Sequence, residues 1–166
     1  MKMIALYLFA IVSANMSVAL FGPKFAVINT FLFVGFDLIS RDALHERWHN
    51  KNLKRNMILL IASGSILSGI LNYNAIPIAI ASFIAFLAAG IADTLTYAVL
   101  YSRAKLIKMN GSNIPASIVD SLIFVPLAFG TPILWDIIAL SIVSKIAGGA
   151  MWSIIIDKFT TNHLTE

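Results

Sequence analysis

The chain has 166 residues, of which 59% are hydrophobic and only 12% charged, and its mean hydropathy is +0.87; a soluble domain usually runs nearer about 45–50% apolar. That excess is too large for one aqueous core of this size, so part of the surface must face hydrocarbon. The absence of cysteine excludes disulfide frameworks and thiolate metal sites, and the net charge of +4 sits at the ends of apolar runs, without the aromatic-interleaved basic patch that nucleic acid would need.

A membrane-spanning helix needs about 20 mostly apolar residues. Six segments fit: 3–21, 25–40, 56–72, 76–101, 114–130 and 133–157. The first follows Lys2 and carries Val12-Ser13-Ala14, which imitates a signal peptide, but nothing downstream reads as a secreted globular domain. The second is short and is expected to continue as helix into the basic segment after it. That segment, RDALHERWHNKNLKRN (41–56), holds Arg41, Arg47, Lys51, Lys54 and Arg55. Between the fourth and fifth spans, SRAKLIKMNGSN (102–113) is read as a loop holding Arg103, Lys105 and Lys108. The other three connections are tight and hold only Lys24. Lys and Arg near span ends stay on the cytoplasmic side, so both basic loops and both termini are expected there, in agreement with Lys2 and Lys158. Gly22-Pro23, Ile76-Pro77 and Thr131-Pro132 mark the outer turns, because proline favours helix starts and breaks. Pro126 lies inside the fifth span. No internal repeat or linker divides the chain. The expected fold is all-α, a polytopic bundle of six transmembrane helices forming one domain over 1–166 in the cytoplasmic (inner) membrane. Small residues at 63–65, 88–90 and 148–150 are expected to let helices approach closely.

Charges inside spans cost about 2.5–3.5 kcal/mol each at a helix centre on insertion scales, and they tend to face the bundle interior. Asp37, Asp93, Asp120 and Lys145 are such charges. At 1.5 Å rise per residue, Asp93 lies about 12 Å and Asp120 about 9 Å from the inner ends of their spans. Lys145 falls mid-span and Asp37 close to the inner end of the second span. Asp93 and Tyr97 share a helical face, and so do Ser117, Asp120, Ser121 and Phe124. Ser141 precedes Lys145 by one turn, and Gly148 and Gly149 follow it. Carboxylates, an ammonium, hydroxyls and aromatic rings make a polar pocket in an apolar bundle. The competing account is a structural ion pair, with Lys145 neutralising one aspartate.

His45-Glu46-Arg47-Trp48-His49 is a literal H-E-x-x-H match, the spacing that places two zinc ligands on one helical face. A zincin also needs a third ligand and a peptide cleft. Here the match lies in a short loop crowded with Arg and Lys, which reads better as an interfacial amphipathic helix without metal.

Four stretches carry a resemblance: FDLISRDALHE (36–46), ADTLTYAVLYSR (92–103), ASIVDSLIFVPLAFG (116–130) and SIVSKIAGGAM (141–151). In their order and span positions the chain resembles the VUT family of small six-helix membrane proteins, the queuosine precursor transporters. The resemblance implies uptake of 7-cyano-7-deazaguanine or its 7-aminomethyl form, with Asp37, Arg41, Asp93, Asp120 and Lys145 as functional residues. Relatives often carry Asn or Gln three residues before the aspartate of the DS pair; here that place is Ser117. With Tyr97, Ser117 and Phe124 added from spacing, these residues make up the expected substrate site. The expected partners are the lipid bilayer and a nucleobase-like small molecule, with self-association left open, no nucleic acid and no cofactor.

Three other functions compete with this one. A substrate-binding subunit of an ATP-driven importer would also be a six-helix bundle, and the chain has no G-x-x-x-x-G-K-[ST] loop of its own. An intramembrane aspartyl protease would need a G-x-G-D element that GIADT lacks. A structural or pore-forming protein would leave the buried charges without a ligand.

Overall fold

A computed structural model describes residues 2–37, 40, 44, 48 and 52–162. The described chain is helical with short turns and contains no strand among the described residues. Helix α1 spans Lys2–Phe21. Helix α2 starts at Pro23, runs to Asn29, widens into a π-helical turn over Thr30–Val34 and continues as regular helix to 37. Then come α3 (Leu53–Leu71), α4 (Ile76–Val99), α5 (Lys105–Phe129) and α6 (Trp135–Asn162).

Local chemistry sets the turns at one end of the bundle. Gly22 takes φ +76, in the left-handed region that favours glycine, and hands over to Pro23, whose fixed φ suits a first helical turn. Asn72 caps the single 3₁₀ turn Tyr73–Ala75 by accepting from the Asn74 amide at 3.0 Å. Gly130, at φ +72, closes α5. At the opposite end α4 and α5 are joined by residues 100–104, beside Arg103 and Lys108. These are the turn end and the basic end below.

The helices close a ring in the order α1, α3, α4, α5, α6, α2 and back to α1. Its polarity is inverted relative to a water-soluble protein. Phe9, Ile70, Ile91, Val99 and Val143 are each at least 64% exposed on the outside, while Asn15, Asn29, Asp37, Asp93, Asn113, Asp120 and Lys145 are at most 4% exposed inside. Lipid is as apolar as the side chains that meet it, so polar bonds and close backbone packing must supply what the hydrophobic effect supplies in water. Two apolar clusters brace the ring. Val18, Ala26, Ile78, Ala85, Phe124 and Ile137 are among those packed toward the turn end. Tyr7, Ile11, Val34, Leu44, Leu60 and Phe86 pack toward the basic end.

An all-α membrane bundle is what hydropathy predicts, and four helices are long and apolar enough to cross a membrane: Met3–Phe21, Tyr73–Val99, Leu106–Phe129 and Trp135–Ile155. The third span is matched to within a residue by the apolar stretch Arg55–Leu71, which is shorter than the other four. One expectation shifts. The fifth helix begins at Lys105 rather than near 114, so most of the basic 102–113 loop is helix. The charges and asparagines of this stretch read as a loop, but two of them, Lys108 and Asn110, are held by neighbouring helices. Asn110 donates to Leu106 O at 2.9 Å and to Ser153 Oγ on α6 at 3.2 Å. Lys108 lies over the rings of Tyr97 and Tyr101. Positions 40, 44 and 48 are helical, with Ser40 and Leu44 buried, which accords with a helix running into the basic segment.

Candidate functional site

The centre of the site is a charge pair between α5 and α6. Lys145 Nζ donates to Asp120 Oδ2 and to Ser121 Oγ at 2.7 Å. Both charges are buried. In a low-dielectric bundle their attraction repays the lost hydration only with good geometry and added hydrogen bonds. Ser121 supplies one such bond. The second carboxylate oxygen, Asp120 Oδ1, has no hydrogen-bond partner among the described residues.

That pair forms one wall of a narrow cavity between the two apolar clusters. Five helices line it: Ala14 and Asn15 from α1; Ala26, Asn29, Thr30 and Val34 from α2; Ser82 and Phe86 from α4; Asp120 and Phe124 from α5; Lys145 from α6. About 20 Å³ of it can hold the centre of a water molecule, on a measure where roughly 10–15 Å³ accommodates one water. Asn15 organises the opposite wall, accepting from Ser82 Oγ at 2.6 Å and donating to Ser68 Oγ at 3.0 Å. It thereby ties α1 to α4 and α3. Asn29 donates to Ala14 O at 3.1 Å, and its own carbonyl oxygen has no partner among the described residues.

The π-helical turn shapes this wall. A π turn disturbs the regular backbone ladder, and such turns concentrate at functional sites. Here Trp152 on α6 donates its indole N–H to Leu32 O at 3.1 Å and meets Phe36 edge-on at 5.0 Å between ring centroids. The helices meet backbone to backbone: a methyl on Gly148 would lie 2.3 Å from Phe31 O, and one on Gly35 would lie 2.8 Å from the Gly148 carbonyl carbon.

Of the expected site residues, Asp120, Lys145 and Phe124 meet at the cavity. Ser117 is buried one turn from Asp120 but does not line it. Asp93 is also buried, on the face of α4 that carries Ser82, Phe86 and Ala89, yet lies beyond the cavity toward the basic end. The hairpin register fixes its level. Leu100 touches Gly111 and Lys108 covers Tyr101, so Asp93 stands opposite residues near Ser117, about one helical turn, or roughly 5 Å, from the level of Asp120. Asp37 is buried near the end of the described part of α2 and does not line the cavity. Tyr97 is half-buried and held under Lys108 Nζ, 5.2 Å from its ring centroid, at the basic end. Trp152 is likewise committed to α2. Arg41 lies outside the described residues, as do His45, Glu46 and His49 of the H-E-x-x-H match.

Charge alone did not point to Asn15, Asn29, Thr30, Ser82 and Phe86. The available signal was an asparagine inside each of the first two apolar runs, since an amide in hydrocarbon needs a partner as a carboxylate does.

With this geometry in place, the chain can be compared with known proteins. A family model described as "Putative vitamin uptake transporter" matches residues 3–161. Comparison with curated proteins and with solved structures finds no match.

Proposed function

Because the chain belongs to the vitamin uptake transporter family, we propose that its cargo is a flat polar heterocycle of the 7-deazaguanine class. On this reading it carries a queuosine precursor, in the 7-cyano or 7-aminomethyl form, across the cytoplasmic membrane with both termini inside. It acts as a carrier and not as an enzyme. The observation that carries the reading is the buried Asp120–Lys145 pair, set in a cavity lined by five helices.

The residues suit such a cargo. A deazaguanine presents a ring N–H beside an exocyclic amine, which one carboxylate accepts in a bidentate way, as acidic side chains do at base edges. Asp120 offers that carboxylate, with Oδ1 open to a donor. Lys145 donates to the ring carbonyl oxygen. Phe124 and Phe86 border the hollow from its two ends and give the ring apolar faces to stack on, worth roughly 1–3 kcal/mol per base. Ser117, Asp93 and Asp37 continue the polar path toward the basic end, with Tyr97 at its mouth.

The test is uptake of each deazaguanine by cells that lack both their own synthesis and their own importer. The chain should restore uptake, Asp120→Asn should abolish it, and the purified protein should be thermally stabilised by the same compound. No uptake and no stabilisation would refute the assignment. Uptake that depends on a co-purifying ATPase would instead make this chain the substrate-binding subunit of a larger importer.

A further inference from the structure

Two asparagine side chains of this bundle are bonded at both ends, and Asn29 at one. Asn15 bonds through both its oxygen and its nitrogen, and Asn110 does the same. Asn113 is the contrast. It is 2% exposed, and neither its Nδ2 nor its Oδ1 has a hydrogen-bond partner among the described residues. In hydrocarbon an unmet amide is costly, and removing it would be cheap for the fold, since an apolar side chain of similar shape has nothing to satisfy. A buried donor and acceptor held unmet in this way suit a ligand better than they suit packing.

Its surroundings point in the same direction. Asn113, Ser117 and Asp120 lie at i, i+4 and i+7 on one face of α5, and each carries a buried polar atom without a hydrogen-bond partner among the described residues: both amide atoms, Ser117 Oγ and Asp120 Oδ1. Across the seam stands Gly149, where a methyl would lie 3.4 Å from Asn113 Nδ2. Gly149 sets no side chain of its own against that amide. We infer that Asn113 is a ligand-binding residue, the inner member of a ladder with Ser117 and Asp120 that engages a planar heterocycle along an edge carrying a hydrogen-bond donor beside an acceptor. This rests on the uptake reading above and adds to it the group that reads the second edge of the cargo. The chemistry is that of a carboxamide: one acceptor and one adjacent donor, matched by a lactam or an aminopyrimidine edge.

The experiment uses the purified full-length protein, 7-cyano-7-deazaguanine as the probe, and two readouts, thermal stability without ligand and the dissociation constant by calorimetry. Asn113→Leu should leave the ligand-free melting temperature unchanged or raised, yet weaken binding about tenfold or more. Gly149→Ala, whose methyl sits at an ordinary contact distance, should keep the fold and weaken binding by covering the amide. Asn113→Leu that binds as wild type does overturns the inference. If Asn113→Leu lowers the melting temperature, Gly149→Ala decides: weakened binding there supports the inference and unchanged binding overturns it. Wild-type protein that does not bind the base removes the uptake reading, and this inference with it. Wild-type binding with an indifferent Asn113 removes this inference alone.

Discussion

Lys145 is the side chain on which most of the buried chemistry converges, because its ammonium holds both Asp120 and Ser121. Breaking a buried pair by removing one partner strands a charge and typically costs about 3–5 kcal/mol, whereas replacing both partners with apolar groups is often neutral or stabilising. Lys145→Met should therefore lower the thermal unfolding temperature sharply, and the double variant Lys145→Met with Asp120→Leu should recover most of that loss. Neither should take up substrate. A double variant that transports normally would reduce the pair to a structural lock. Asp93 makes a separate prediction. Asp93→Asn keeps the shape of a buried side chain and removes its charge, so the variant should fold and reach the membrane but lose uptake. Unchanged uptake would take Asp93 out of the path. These charged residues were legible in the sequence because a charge in an apolar run is costly enough to need a reason. Asn15, Asn29 and Ser82 stand out less, since a neutral polar residue in an apolar run costs less than a charge and can bond its own helix backbone. Ser68 does so in part, donating to Gly64 O at 2.8 Å, and only the packed ring reveals that it also receives Asn15.

At the scale of elements, the contact between α2 and α6 is set by glycine. Gly35 and Gly148 let two backbones meet where the π-helical turn swells α2, and Trp152 bonds to a carbonyl of that turn. Gly148→Ala places a methyl 2.3 Å from Phe31 O, and Gly35→Ala one 2.8 Å from Gly148 C. Both obstacles are backbone and cannot swing aside. Overpacking of this kind costs about 1–3 kcal/mol, so each variant should melt measurably lower than wild type. Gly90, with nothing within 4 Å of its built methyl, is the control: Gly90→Ala should be neutral or gain about 0.5–1 kcal/mol from reduced backbone freedom. Equal stability of Gly148→Ala and Gly90→Ala would show that α6 does not press on α2 this closely. The GG pair was legible as a close-approach signal. Its partner was not, because a π turn leaves no periodic mark in the chain: Thr30–Val34 reads as ordinary apolar helix. The early start of α5 escaped for a related reason, since Lys108 and Asn110 read as loop residues and only the packed helices show Asn110 bonded to Ser153.

For the molecule as a whole, the cavity raises a problem of size. Its 20 Å³ of room for water centres suits water and not a bicyclic base; pockets that hold drug-sized ligands run about 300–1,000 Å³. Carriage of a bicyclic base, as proposed, would therefore require the ring of helices to open. The chain's lack of cysteine makes that opening measurable. Ser82→Cys puts a near-isosteric thiol on the cavity wall beside Asn15, and Tyr73→Cys puts one in the turn between α3 and α4, where Tyr73 is 82% exposed. Ser82 lies only six residues from the start of α4, about 9 Å along its axis, so opening at the turn end would expose it. With a membrane-impermeant maleimide added outside intact cells, Tyr73→Cys should label quickly if the turn end faces outward. Ser82→Cys should label slowly, at the rate of transient opening, and saturating 7-cyano-7-deazaguanine should slow it further by occupying the hollow. Labelling of Ser82→Cys as fast as Tyr73→Cys would mean the cavity stands open to water at rest. A slow rate that the base does not change would mean the cargo never enters between Asp120 and Ser82, and the path would have to be sought elsewhere in the ring.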